Sequence, residues 1–211
     1  MKPNKIFLIR HGESEGNVNR NIYSTKPDYK LLLTEKGKLQ ATEAGKKINN
    51  LLGSESLFCY VSPIWRTRET FQLLQKELVS SNIQIREEPR IREQEWGHLR
   101  TIEECEKVDK ERDEYGTFYF RIPDGESAAD VYDRVSDFMG TLHRDFEKES
   151  FPNNVLIVTH GMTLRLFIMK WFHLSVEEFE LLSNPKNCEL IILEKNELEK
   201  YNLITEMRKR K

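Results

Sequence analysis

Two histidines stand in the same local setting. His11 closes the run Lys5-Ile6-Phe7-Leu8-Ile9-Arg10, His160 closes Val155-Leu156-Ile157-Val158-Thr159, and each is followed by a glycine, Gly12 or Gly161. A neutral imidazole keeps a lone pair on one ring nitrogen, so it can attack an electrophile or pass a proton. The glycine after each ring lets backbone approach a ligand closely and leave the strand sharply. Arg10 adjoins His11, and Arg66 and Arg68 follow Tyr60-Val61-Ser62-Pro63. A guanidinium offers a planar fork of donors that fits phosphoryl oxygens. Two imidazoles and two guanidiniums at neighbouring strand ends would make a phosphate pocket. The competing reading pairs each arginine with a surface carboxylate, and it weighs more on Arg68 than on Arg66. Phosphoryl transfer also needs a proton for the leaving oxygen. Glu93 and Glu95, in Arg92-Glu93-Gln94-Glu95-Trp96-Gly97, both qualify, and the residues alone do not rank them.

Those side chains need elements to bring them together. The runs ending at Ile9 and Thr159 are short, continuous and rich in β-branched residues, the pattern of strands buried on both faces. Phe58-Cys59-Tyr60-Val61 and residues 188–193 are further strands, residues 83–85 a short one and residues 201–205 a weak one. Helical periods lie between them. Thr34 caps a helix to about Leu52, with apolar marks at Leu39, Ala44, Ile48, Leu51 and Leu52, against which Gly37 and Gly45 count. Further helices are predicted over 67–78, 102–114, 163–172 and 176–182. The clearest amphipathic stripe is Val131, Val135, Phe138, Leu142 and Phe146, capped by Ser127 with Asp130 three residues on. Residues 14–33 show no period and read as a long loop, and the basic tail from Arg208 reads as frayed. Strands alternating with helices predict an α/β fold, a three-layer α/β/α sandwich with a largely parallel central sheet and helices on both faces. Ligands bind such sheets beyond the carboxyl ends of the strands, where both histidines fall. No Gly/Ser- or Pro-rich linker divides the chain, so residues 1–211 read as a single domain with a cap over about 87–125.

Composition narrows the function classes. Thirty-three Lys+Arg against 35 Asp+Glu give a formal net charge of -2 over 211 residues, which points neither to nucleic acid nor to a polybasic membrane surface. No apolar run approaches the ~20 residues of a membrane span, and the first residues do not form a secretory signal. Cys59, Cys105 and Cys188 are odd in number and far apart, so they suggest no metal knuckle and no disulfide set. A reducing, cytoplasmic setting is the expectation.

The motifs taken together resemble a known family. Arg10-His11-Gly12-Glu13-Ser14 with Asn17 close behind is similar to the signature of the histidine phosphatase superfamily, which includes cofactor-dependent phosphoglycerate mutases and broad phosphatases. Ser62 to Thr70 resembles its second arginine segment, Ile91 to Gly97 the acidic segment of its mutase branch, and Val158-Thr159-His160-Gly161 its second histidine. These segments follow the family's order. Pro123-Asp124-Gly125-Glu126-Ser127 and the residues to Val135 further resemble phosphoglycerate mutase-like proteins of plants and fungi; there Ser127, Asp130 and Arg134 read as cap and helix-surface pairing.

The resemblance implies His11 as nucleophile and Glu93 as general acid and base. It implies Arg10, Arg66, Asn17 and His160, with Gly161, around the phosphoryl oxygens, and neither metal nor cofactor. Tyr23 and Ser24 fall where the mutases place a small hydroxyl residue followed by glycine, and Trp96 is a candidate for the pocket entrance. Where those mutases carry a lysine pair, this chain has the acidic stretch from Leu99 through Glu103, Glu104 and Glu106 to Lys107. A metal-independent phosphomonoester hydrolase acting on a small phosphorylated metabolite is therefore the leading expectation. A mutase-type phosphotransferase and a non-catalytic phosphate-binding module are the alternatives. The aromatic stretch from Tyr115 to Phe120 is either a pocket roof or core packing, and Arg100, Arg121 and Arg165 are candidate contacts for further anionic groups.

Overall fold

In the computed structural model, which describes residues 2–80, 82–98 and 101–210, the first apolar run forms strand β1, Lys5–Arg10. Its side chains alternate: Ile6 and Leu8 enter one hydrophobic cluster, Phe7 and Ile9 another, and all four are sealed from solvent. Each such side chain contributes about 1.5–3 kcal/mol through burial. Two-sided burial requires helices on both faces.

The other strands are β2, Leu57–Val61; β3, Ile83–Glu87; β4, Asn154–Thr159; β5, Leu190–Lys195; and β6, Tyr201–Leu203. They form one sheet in the order β3-β2-β4-β1-β5-β6. β1 to β4 run parallel, whereas β5 is antiparallel to β1 and β6 to β5. The helices are α1, Glu15–Val18; α2, Glu35–Leu52; α3, Trp65–Gln75; α4, Ile102–Tyr115; α5, Ala128–Phe146; α6, Gly161–Phe172; and α7, Val176–Glu180. α2 and α3 pack on the Phe7 face of the sheet, α5 and α6 on the Ile6 face. The three-layer α/β/α architecture is thus present, with a mixed, mostly parallel sheet.

Several local expectations are corrected. Residues 14–33 are not a bare loop. Ser14 and Asn17 form a capping box on α1, and 3-10 turns follow at Arg20–Ser24 and Asp28–Lys30. α6 begins immediately after His160, two residues earlier than expected. Cys188 precedes β5 at φ 55°, outside the strand. The tail is docked: Met207 is buried, the Arg208 carbonyl accepts from the Ser183 amide at 2.8 Å, and the Arg210 amide donates to Leu181 at 2.7 Å.

α2 reads differently from its large apolar residues. Leu39 is 69% exposed, and the buried face is Gly37, Ala41, Ala44, Gly45, Ile48 and Leu52. The glycines belong to that face because other backbone comes so close. A Cβ on Gly37 would lie 2.0 Å from the Glu13 carbonyl oxygen, and one on Gly45 would lie 2.5 Å from that of Leu74. α2 therefore presses directly on the segment that carries His11. Alanine at Gly37 gains about 1 kcal/mol of helix propensity, but the clash is with backbone and cannot be relieved by a side chain turning away. Urea unfolding should show Gly37→Ala destabilised and Leu39→Ala within about 0.5 kcal/mol of wild type. A stabilised Gly37→Ala would contradict the close approach.

Candidate active site

Register places the two histidines. β1 and β4 are adjacent and parallel, with Arg10 opposite Thr159, so His11 and His160 are the next pair beyond the sheet. The His11 amide extends the ladder to the Thr159 carbonyl at 3.0 Å. The two rings lie 5.2 Å apart between centroids and are tilted by 61°.

His11 is only 3% exposed. Its Nδ1 is 2.7 Å from the Gly12 carbonyl oxygen, and a carbonyl only accepts, so the ring proton is on Nδ1. Nε2 then carries the lone pair, and it accepts from Arg66 Nε at 3.3 Å. Burial, reinforced by Arg66 and Arg10, holds the His11 pKa well below its ordinary 6.5, while the Gly12 carbonyl works the other way. The Gly12 amide donates to Thr70 Oγ1 at 3.0 Å, and that hydroxyl donates to the Arg66 carbonyl at 2.7 Å. One turn of α3 thus sets both Arg66 and the loop after His11.

Arg66 is 4% exposed. Its terminal nitrogens are engaged by Asp28: Nη1 donates to the backbone oxygen at 2.9 Å and to Oδ1 at 3.0 Å, and Nη2 to Oδ2 at 3.1 Å. With that edge taken, the Nε side of the guanidinium faces His11. Arg68 instead pairs with Glu87 on the surface. Arg10 donates from Nη1 to the Pro185 carbonyl at 2.8 Å. Burial lowers its pKa, with Glu93 opposing and Arg66 adding to the effect. The Asn17 side-chain oxygen accepts from the Ser14 amide at 3.1 Å and from Asn187 Nδ2 at 3.0 Å, which leaves its amino group for other partners. Asn187 Nδ2 also reaches the His11 carbonyl at 3.0 Å.

His160 is fully buried, with Nε2 2.8 Å from Ser62 Oγ and no partner for Nδ1 among the described residues. Burial, then Arg66 and His11, keep its pKa well below 6.5. The Glu93 carboxylate sits at the first turn of α6, accepting from the Met162 amide at 3.4 Å and the Thr163 amide at 3.3 Å. Glu95, by contrast, is exposed.

A cleft of about 1110 Å³ opens over this constellation. Arg10, His11, Asn17, Tyr23, Ser24, Arg66, Glu93 and Trp96 line it, as does the exposed Glu95; His160 and Gly161 do not. Burial, with Asp28 nearby, raises the Tyr23 pKa and keeps the phenol protonated. Trp96 stacks under the Arg112 guanidinium at 5.0 Å. None of the aromatic residues from Tyr115 to Phe120 lines the cleft. Phe118 packs into the core on Phe179 and Tyr132, while Tyr115 and Tyr119 face solvent. Arg121 pairs with Asp130, and Arg165 is buried over the Phe179 ring. Arg100 lies outside the described residues. Among the described residues no group of three His, Cys, Asp or Glu is placed to hold a metal ion, and no helix is long and apolar enough to cross a membrane.

The cleft also depends on Asp28, Ser62, Thr70, Asn187 and Arg134, which the sequence alone does not mark as site residues. Ser62 and Thr70 flank Arg66 in its motif, which was the available signal; Asp28 and Asn187 offered none.

Both buried rings are neutral in the fold and free to protonate in the unfolded chain. Stability is therefore fully present above pH 6.5 and is lost as pH falls below it. One such ring gives a limiting slope of about 1.4 kcal/mol per pH unit, and two give up to about 2.7. Urea unfolding at stepped pH should show this loss before the carboxylates titrate, and His160→Gln should flatten it. An unchanged slope in a folded His160→Gln protein would contradict a buried neutral ring.

Residues 6–203 match the family model described as histidine phosphatase superfamily (branch 1). "Phosphoglycerate mutase-like protein AT74" of Arabidopsis thaliana is 44% identical, over 95% of this chain and 68% of its own length. "Broad-range acid phosphatase DET1" of Saccharomyces cerevisiae is 30% identical, over 97% and 89%. Among solved structures, "Mycobacterial hydrolase 1" superposes with a TM-score of 0.75 at 19% identity, over 98% of this chain and 99% of that one; at that identity the likeness speaks to the fold.

Proposed function

The chain belongs to the histidine phosphatase superfamily, and we propose that it is a metal-independent phosphomonoester hydrolase working through a phosphohistidine on His11. The observation that carries this reading is the His11 ring, whose Nδ1 is tied to the Gly12 carbonyl while Nε2 faces Arg66 in a cleft. In the first step Nε2 attacks phosphorus and the bond to the ester oxygen breaks. The Glu93 carboxyl gives its proton to that oxygen, and the alcohol leaves. In the second step Glu93, now a carboxylate, takes a proton from water as the water oxygen attacks phosphorus. The N–P bond breaks, its electron pair returns to Nε2, and inorganic phosphate departs with Glu93 protonated again.

Arg10, Arg66 and Asn17, which line the cleft, hold the phosphoryl oxygens and stabilise the charge of the transition state. His160 and Gly161 close the inner end of this cradle. The substrate is a small phosphorylated metabolite or another phosphomonoester, and the segment of about 87–125 caps the cleft as part of one domain spanning 1–211. Three free thiols accord with a reducing, cytoplasmic setting.

Hydrolysis is favoured over mutase chemistry by α4. It contributes Cys105 to the cleft wall, whereas its Lys107 and Lys110 are exposed and do not line the cleft. The yeast relative is named as a phosphatase and the Arabidopsis relative as phosphoglycerate mutase-like.

The test is hydrolysis of an aryl phosphate and a matched alkyl phosphate, with and without EDTA. Turnover should survive EDTA, and His11→Ala should remove phosphoenzyme trapping and lower kcat by roughly 10⁴-fold or more. Glu93→Gln should lower kcat/KM for the alkyl ester by roughly 10²-fold or more and for the aryl ester much less, because an aryl oxide leaves without a proton. No turnover, or conversion of 3-phosphoglycerate to 2-phosphoglycerate as the main activity, would overturn hydrolysis. Equal slowing of the two esters would remove Glu93 as the acid.

A further inference from the structure

Arg134 lies in the second turn of α5, where helix-surface pairing was expected of it. Its side chain is instead turned inward and only 11% exposed. All five of its N–H donors are engaged. Nε donates to Glu126 Oε1 at 3.0 Å and Nη2 to Glu126 Oε2 at 2.9 Å. Nη1 donates to the carbonyls of Arg90 at 2.7 Å and Arg92 at 2.8 Å, and Nη2 also to the carbonyl of Glu93 itself at 3.0 Å.

The segment held in this way has no ladder of its own beyond the 3-10 turn Pro89–Ile91. Glu126 extends the grip. Its carboxylate accepts from the Glu95 amide at 3.0 Å and from Arg92 Nη2 at 2.6 Å, and its carbonyl accepts from Gln94 Nε2 at 2.8 Å. The contacts of the Glu93 carboxylate with α6, at 3.3–3.4 Å, are long by comparison. The carboxylate's shortest contact, from the Gln94 amide at 3.1 Å, is itself local to this backbone. Thr159 and Thr163 each pin one carbonyl of the segment, Ile91 at 2.7 Å and Arg92 at 2.6 Å, and Arg134 is the side chain that reaches three of its carbonyls, on both sides of Arg92.

We propose that Arg134 is a positioning residue for the proton transfer: with Glu126 as its counter-charge, it fixes the Arg90–Glu93 backbone so that the Glu93 carboxyl meets the leaving oxygen. The proposal rests on Glu93 being the acid. Lysine keeps the charge, but its three donors radiate from one atom and cannot span three carbonyls and a carboxylate.

The experiment is Arg134→Lys in the full chain, checked as folded by near-UV circular dichroism, on the same alkyl and aryl phosphate pair. Loss of positioning should lower kcat/KM for the alkyl ester about 10- to 100-fold and for the aryl ester less than about 3-fold. Phosphoenzyme should accumulate with the aryl ester, because the same carboxylate activates the hydrolytic water. A merely structural role would lower both esters together through the active fraction, and that result, or no change at all, overturns the proposal. Should Arg134→Lys not fold, Glu126→Gln carries the test: the same skew is expected at smaller size, and a flat response overturns it. Glu93→Gln alongside separates the two ideas. A skew in Glu93→Gln without one in Arg134→Lys rejects the positioning role alone, whereas no skew in Glu93→Gln rejects the acid assignment beneath it.

Discussion

A histidine can accept a phosphoryl group only while one ring nitrogen keeps its lone pair, and the whole architecture around His11 bears on that condition. The Gly12 carbonyl accepts a hydrogen bond from Nδ1–H and so leaves the lone pair on Nε2, two guanidiniums make further protonation unfavourable, and burial removes the water that would otherwise screen them. The carbonyl can do this because Gly12 leaves β1 sharply beneath α2, where a Cβ on Gly12 would lie 2.5 Å from the Gly37 carbonyl oxygen. A glycine pair in close backbone approach thus underlies the protonation state of the ring that precedes Gly12 in the chain.

The same crowding of cations has to be offset. Asp28 faces Arg66, and Glu93 is the leading opposite charge felt by Arg10. Both carboxylates line the cleft, so the site is a balanced lattice of charges rather than a purely positive bowl. Such a balance accords with the chain's formal net charge of -2.

Much of the fold and part of the site were legible in the sequence, for identifiable reasons. Runs such as residues 155–159 are apolar without alternation, which only a strand covered on both faces tolerates, and the polar residue that ends each run had to lie at the carboxyl end of its strand. The five-residue stripe of α5 was equally direct. What escaped depends on contacts between segments. Leu39 looked like core because it is large and apolar, yet the interface of α2 is built from Gly and Ala so that backbones can approach. Glu93 and Glu95 were indistinguishable until α6 offered its first amides to one of them. Asp28 and Arg66 are 38 residues apart, and Asn187 and His11 are 176 apart, so no local pattern joins them.

The engagement of Arg66 on its terminal edge has a bearing on the timing of free-energy changes. An unrestrained arginine carries about 2 kcal/mol of rotamer entropy, which a mobile side chain would lose each time it closed on an anion. Here Asp28 has already immobilised the guanidinium, with its remaining donor edge turned to the His11 ring. The ordering occurs once, as the chain folds, and is not repeated in each catalytic cycle. In the proposed mechanism, a guanidinium fixed in this way has little to reorganise as electron density passes from the attacking nitrogen through phosphorus to the ester oxygen.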